Sequence, residues 1–381
     1  MSTSRRNLFK SVGAVAAGAV AYGGLTAGST AAAHPRPQDQ AEGRRTRLVL
    51  LGTAGGPSVY ADRHGVSSAV VVEDAVYLVD LGHGFQTRFA EAGIGSSSLT
   101  NRPMEGLAGV FLTHLHSDHI AEYAALQLTG MWNGLDDPAR PVHIYGPGDR
   151  GGLPPVFGGR PEAPVINPDD PTPGTVRMTE HLHRAFATDL NDRIRSSGAT
   201  DPARILITHD IALPAGTPVP HDTNPMPTVA PFPVFEDDRV RVTATLVNHA
   251  PVFPSFAFRF DTEDGSITFS GDTAPSDNLV ELARDTDYLV HEVIDRAYVE
   301  SRYPEPHTPD IEALIDHLLG SHTTIEDVGP VADRANAGTL VLNHLVPGDH
   351  PESRWLDAQK TSARPVVVGR DLMQFGMGPR R

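Results

Sequence analysis

Cysteine is absent from the 381 residues of this chain. That excludes disulfide stapling, and it also excludes any metal site or nucleophile built on a thiolate. Lysine is nearly as scarce, occurring only at Lys10 and Lys360. With 31 Lys and Arg against 47 Asp and Glu the net charge is −16, and no basic stretch forms a track for a polyanion. The mildly apolar run that begins at Ser11 has too many glycines and too few large side chains for a membrane-spanning helix. Hydrophobic residues still make up 39%, ample for a packed core, and the chain carries 18 histidines.

Four histidine or aspartate positions fall together in His114-Leu115-His116-Ser117-Asp118-His119. An apolar, β-prone run from Gly109 to Thr113 precedes them, and helical periodicity from Ile120 to Gly130 follows. Such a strand-to-helix turn aims side chains outward. His114 and His116, alternating, can close on one cation, while Asp118 and His119 at the helix start can face a second. Further donors stand at other strand ends: His249 after Thr243 to Asn248, Asp272 after Ser266 to Ser270, and His344 after Thr339 to Asn343. A lone histidine after a strand is ordinarily a hydrogen-bonded loop residue, but several at like positions point to a shared site.

Taken in order, LVLLGTAGGP, YLVDLGHG, FLTHLHSDH, the lone His249, FSGDT, LVHEV and LVLNHLVPG resemble a metallo-β-lactamase-fold hydrolase, nearest to the ribonuclease Z and arylsulfatase-like branch. The resemblance implies an α/β fold, a four-layer αβ/βα sandwich of two mixed β-sheets flanked by helices. It also implies that His114, His116 and His249 hold one metal, that Asp118, His119 and His344 hold the other, and that Asp272 bridges them. The implied cofactors are two divalent ions, zinc by the His/Asp donor set, with iron or manganese as alternatives.

The pattern supports that architecture. Strands are expected at 47–51, 66–72 and 75–80, a helix at Phe85 to Ala92, and then the strand and helix of the histidine motif. Beyond residue 239 the expected order is strands near 240–248, 255–261 and 265–271, a helix at 277–284, a strand at 286–290, and helices at 309–319 and 324–336. Residues 34–381 read as one domain with a Pro/Gly-rich insertion at about 147–238. The insertion contains a helix-like Thr179 to Ser196 and a strand-like Ala203 to Leu213, and its place before His249 suits a rim or lid.

At the start, Ser4-Arg5-Arg6-Asn7-Leu8-Phe9-Lys10 and the apolar run resemble a twin-arginine export signal, with Ala31-Ala32-Ala33 offering small residues for cleavage after residue 33. The expectation is an exported protein, periplasmic, wall-associated or extracellular, that meets the twin-arginine machinery and keeps no stable membrane anchor. Those first 33 residues hold three cations and no acid, so without them the net charge falls from −16 to −19. On that charge nucleic acid is expected to be an unlikely partner, and a small-molecule ester the substrate.

Two cations sharing a carboxylate imply hydrolysis by a water held between them, with Asp118 orienting it. Within Leu289-Val290-His291-Glu292-Val293, His291 is similar to the family's general acid backed by an acidic residue. Glu292, His322 and His83 are expected as second-sphere or substrate-contacting residues, although for His322 the simpler explanation, a place beside the helix N-cap Thr323 or Thr324, is the favoured one. The leading expectation is hydrolysis of a small phosphodiester or sulfate ester. A lactonase or β-lactamase-type hydrolase, a ribonuclease Z-like nuclease and a non-catalytic metal-binding protein remain as alternatives.

Overall fold

Strands whose two faces are both covered read as continuous apolar runs, and β1 (Arg44–Gly52) illustrates this. Its Leu48 and Leu50 enter one apolar layer and its Val49 and Leu51 another, all fully buried. This computed structural model describes residues 41, 43–95, 101–156, 161, 163–218 and 226–380; the expected export signal at 1–33 lies outside the described residues. No described helix is long and apolar enough to cross a membrane.

Among the described residues, two seven-stranded sheets form the centre. The first consists of β1, β2 (Ser67–Val72), β3 (Ala75–Val79), β4 (Leu107–Phe111), β5 (Val142–Pro147) and β6 (Leu206–Ile211) in that order, with the C-terminal strand beyond β1. The second runs through β7 (Phe232–Glu236), β8 (Arg241–Leu246), β9 (Phe256–Thr262), β10 (Gly265–Phe269), β11 (Tyr288–Ile294), β12 (Thr339–Val346) and β13 (Val366–Val368). The C-terminal strand is β14 (Gln374–Arg380), antiparallel to β1. Each sheet mixes antiparallel with parallel pairs, as β2–β3 and β3–β4 show in the first and β8–β9 and β11–β12 in the second.

The layers follow from strand alternation. Phe256, Phe258 and Phe260 of β9 point between the sheets, where they meet Phe111 and Tyr77 of the first sheet. Full burial of one such ring contributes about 2–3 kcal/mol. On the outer face of the first sheet lie Phe85 and Phe89 of the helix Phe85–Ala92; the helix Ile325–Arg334 covers the second sheet through Val328 and Val331. Helix, sheet, sheet and helix therefore stack as the expected four-layer αβ/βα metallo-β-lactamase sandwich.

Several elements were not visible in the sequence pattern. The stretch 147–238 carries two helices, Thr175–Ala185 and Ala187–Ser197, joined at Phe186, where one continuous helix was expected. It also supplies β6 and β7, one edge strand of each sheet, so much of it is integral to the sandwich. Pro233 within β7 fits an edge position, because proline cannot donate to a ladder. β14 is not legible as a strand because its glycines and proline resemble a loop until β1 supplies the pairing partner.

Candidate metal centre

All the expected ligands gather at one edge of the sandwich, and all but His344 follow the end of a strand. β4 leads to His114, β8 to His249 and β10 to Asp272, while His344 sits within β12 at a bulge. His344 has a backbone φ of 41°, a left-handed conformation rare outside glycine, and the ladder to β11 shifts register there. The bulge turns its ring toward the edge.

Two clusters result, each able to hold a metal: His114, His116, His249 and Asp272 in one, and Asp118, His119, Asp272 and His344 in the other. Asp272 belongs to both through different oxygens. Its Oδ2 lies 3.8 Å from His114 Nε2 and 3.8 Å from His249 Nε2. Its Oδ1 lies 3.2 Å from His119 Nε2 and 3.4 Å from His344 Nε2. Asp118 Oδ2 closes the second cluster, 3.2 Å from His344 Nε2 and 3.7 Å from His119 Nε2. Donor atoms about 2.1 Å from a tetrahedral zinc stand about 3.4 Å apart, so these separations suit a shared cation better than direct hydrogen bonds.

Buried atoms without partners make the same point. His114 Nε2, His119 Nε2 and Asp272 Oδ1 are buried and form no hydrogen bond. Leaving such a group unpaired costs about 1–3 kcal/mol, and coordination would satisfy all three at once. Charge is also poised for a cation. Burial lowers the imidazole of His114 well below its ordinary value and that of His249 to about 3, keeping both in the neutral, ligating form. Burial likewise lowers His119, but Asp272, Asp80 and Asp118 outweigh it and hold the ring well above its usual range. Asp272 is raised by burial and lowered further by His344 and His119, so it stays ionised. The residues fit a pair of divalent ions.

A second tier of contacts fixes the rings. His119 Nδ1–H donates to Asp80 Oδ2 at 2.8 Å, while Asp80 also accepts from the Thr113 amide and hydroxyl, each at 2.8 Å. His249 Nδ1–H donates to the Ser321 carbonyl at 2.9 Å. Each bond commits the proton to Nδ1 and frees Nε2 for metal. The Gly56 amide donates to Asp118 Oδ2 at 3.0 Å. Sequence reasoning does not single out Asp80, although it stands in the segment YLVDLGHG. The available signal is an acidic residue closing an apolar strand.

The expected acid pair is rearranged. His291 and Glu292 are adjacent in β11, so their side chains face opposite sides of the sheet. His291 is fully buried with Nδ1 bonded to the Glu292 carbonyl at 2.7 Å. The Glu292 carboxylate instead meets His322, whose Nδ1 lies 3.2 Å from Oε1 and 4.0 Å from Asp272 Oδ2. Glu292 Oε1 also accepts the amides of Thr273 and Thr323, which locks the loop bearing His322 against the centre. Burial lowers His322, but Glu292 and Asp272 hold it up at about 9. His83 sits on the turn before the helix Phe85–Ala92, 59% exposed, with Nδ1 3.9 Å from Glu122.

No family model matches the sequence. Individual proteins do. Ribonuclease Z of Mycobacterium bovis (strain BCG / Pasteur 1173P2) is 33% identical over 340 residues, covering 88% of this chain and 99% of the relative. Ribonuclease Z of Mycobacterium tuberculosis (strain H37Rv) is 31% identical over 339 residues, with the same coverage. Among solved structures, human tRNase Z, short form, superposes with a TM-score of 0.54 at 20% identity over 87% of this chain and all of that one. The metallo-β-lactamase-fold protein YhfI of Bacillus subtilis gives 0.54 at 16% identity over 87% of this chain and 99% of its own.

These relatives correct one expectation. A net charge of −19 beyond residue 33 makes nucleic acid an unlikely partner by composition. Near-full-length similarity to ribonucleases overturns that inference. Net charge sums over the whole surface, whereas phosphate recognition depends on the few groups at the site, where cations would dominate the local field. By identity that spans nearly its whole described length, the chain belongs to the ribonuclease Z family, hydrolases of the metallo-β-lactamase fold.

Proposed function

We propose that this protein is a metal-dependent ribonuclease that hydrolyses an RNA phosphodiester bond. The observation that carries the reading is the split carboxylate of Asp272, one oxygen toward each His/Asp cluster, in a chain of the ribonuclease Z family. His114, His116 and His249 with Asp272 would hold one ion, and Asp118, His119 and His344 with Asp272 the other. Such a pair, zinc by its donor set, supplies Lewis-acid charge and an acidified water at neutral pH.

The chain's own groups do the remainder. Gly56 holds Asp118 so that its Oδ2 faces the second cluster. His322 is the proton carrier for the leaving oxygen: its Nδ1–H is anchored on Glu292, with Asp272 Oδ2 4.0 Å from the same nitrogen, and Nε2 is left to hold the transferable proton. This replaces the role first expected of His291. The family favours RNA over the small phosphodiester or sulfate ester expected from composition.

The test is cleavage of a hairpin RNA with a single-stranded 3′ tail by zinc-loaded protein, alongside an aryl sulfate. Site-specific cleavage of the RNA is expected, reduced by orders of magnitude in Asp272→Ala. A protein that binds two equivalents of metal yet leaves the RNA intact would overturn the reading. We further propose that residues 1–33 direct export, a reading supported by Arg5-Arg6 and the apolar run that follows. Fused to a fluorescent reporter, the segment should export it only while both arginines are present.

A further inference from the structure

A cavity of about 230 Å³ adjoins the metal centre and shares Asp118 with it; Tyr60, Arg63, His83 and Ser117 also line it. It lies below the roughly 300–1,000 Å³ typical of drug-sized ligand sites, so it suits one compact unit of a polymer. Its two distinctive side chains are both held in place.

His83 presents a flat ring. It lies parallel to His64 with centroids 6.4 Å apart and 11° between planes, and His64 Nδ1 is anchored 3.0 Å from Asp371. The backbone is shaped to bring these turns together. Gly65 donates to the His83 carbonyl at 3.0 Å, and Gly82 to the Val66 carbonyl at 2.9 Å. Gly84 adopts φ +86°, and a Cβ there would stand 2.0 Å from His64. The His83 side chain nevertheless remains 59% exposed, so its ring is braced from one side and open on the other.

Arg63 is the one Lys or Arg among the lining residues. Its Nε donates to the Gly348 carbonyl at 3.0 Å and its Nη1 to the Gly369 carbonyl at 2.7 Å and to Thr53 Oγ1. Among the described residues its Nη2 has no hydrogen-bond partner. A guanidinium already clamped on two nitrogens loses little freedom when the third meets an anion. Unpaired RNA bases stack on flat side chains, histidine among them, while arginine neutralises the backbone.

We propose that this cavity is the subsite for one unpaired nucleotide beside the scissile phosphodiester, with the His83 ring as its stacking face and the Arg63 guanidinium as its phosphate partner. The inference rests on the ribonucleolytic reading and names the feature of the RNA that the site selects.

The test compares kcat/KM for a hairpin RNA with a single-stranded tail against two versions carrying an abasic ribose on either side of the cleaved bond. In the wild type one abasic substitution should cost roughly tenfold, as expected for a lost base stack. His83→Ala should lose a similar factor on the intact RNA, chiefly in KM, and should no longer distinguish it from the abasic one. His83→Tyr, which keeps a flat ring, should restore the distinction. Arg63→Gln should flatten the logarithmic salt dependence of kcat/KM by about 0.7, the value for one single-strand phosphate contact. Metal content and melting temperature of each variant separate these effects from loss of fold. An abasic penalty that persists in His83→Ala, or none in the wild type, overturns the subsite and leaves the ribonuclease reading standing. Failure of the wild type to cut any RNA overturns both.

Discussion

Asp80 and His119 stand 39 positions apart in sequence, yet they meet through a buried 2.8 Å bond between Oδ2 and Nδ1. The bond fixes which nitrogen of His119 faces the metal cluster. Asp80 has φ +59°, so the backbone at the end of β3 is itself turned to deliver the carboxylate. Asp80→Asn keeps the shape but removes the charge that holds His119 in this tautomer. Metal titration with a competing chelator should show the affinity of one ion falling about 10- to 100-fold. Unchanged affinity for both ions would rule out an orienting role.

Gly56 packs so closely on Asp118 that a Cβ would lie 2.2 Å from the Asp118 Cβ. Alanine there must push the carboxylate away from His344. Gly56→Ala should lower turnover at least tenfold while the melting temperature moves little, because the contact lies at the sandwich edge. Turnover within twofold of wild type would show that the loop yields instead.

Removing the metals should destabilise the fold as well as abolish activity. Binding confined to the folded state contributes about 4 kcal/mol when free metal is a thousandfold above Kd. Dialysis against a chelator should therefore lower the melting temperature by several degrees, and zinc should restore it. Equal melting temperatures with and without metal would mean that the clusters hold no ion.

The inter-sheet layer should be the most sensitive part of the core. Phe258 is fully buried and stacks edge-on with Phe111 across the two sheets at 5.7 Å. Phe258→Ala should cost about 3–5 kcal/mol in denaturant unfolding. A loss under 1 kcal/mol would indicate that neighbouring rings collapse into the space.

Asp295 supplies a pH signature away from the metals. Burial raises its carboxyl, but bidentate bonds from Arg354 at 2.8 and 2.7 Å outweigh that and hold it below its ordinary range. The stability it contributes is therefore present above the unfolded pKa of about 3.9 and disappears as pH falls through the lower folded value. Asp295→Asn should destabilise by about 2 kcal/mol at pH 7, the scale of charge-assisted hydrogen bonds. Urea unfolding at pH 3 to 7 checks this: the gap between variant and wild type should narrow toward the acid end, and a constant gap would contradict the assignment.

Local features are legible in the residues themselves. The helix Phe85–Ala92 falls where periodicity places it, and β2 and β3 lie within a residue of their expected bounds. The position of each nominated ligand after an apolar run is equally plain, since strand ends carry residues out of the core. β5, β7 and β14 are not, because edge or glycine-containing strands gain their identity from neighbours. Where the Glu292 carboxylate goes is equally invisible, because strand alternation points it away from its neighbour His291 and only the fold brings His322 to it.

What the sequence determined by itself is the donor set and the sandwich: side-chain chemistry and apolar periodicity are properties of short segments. What only the tertiary structure decided is partnership. It divided the two oxygens of Asp272 between the clusters, gave Glu292 to His322, and brought Asp118 to His344 across 226 positions. Those pairings depend on strand register, a bulge and the absence of a Cβ at Gly56, and each is set by packing between segments remote in the chain. For the same reason net charge misled about RNA, because a sum over residues carries no information about which of them face the site.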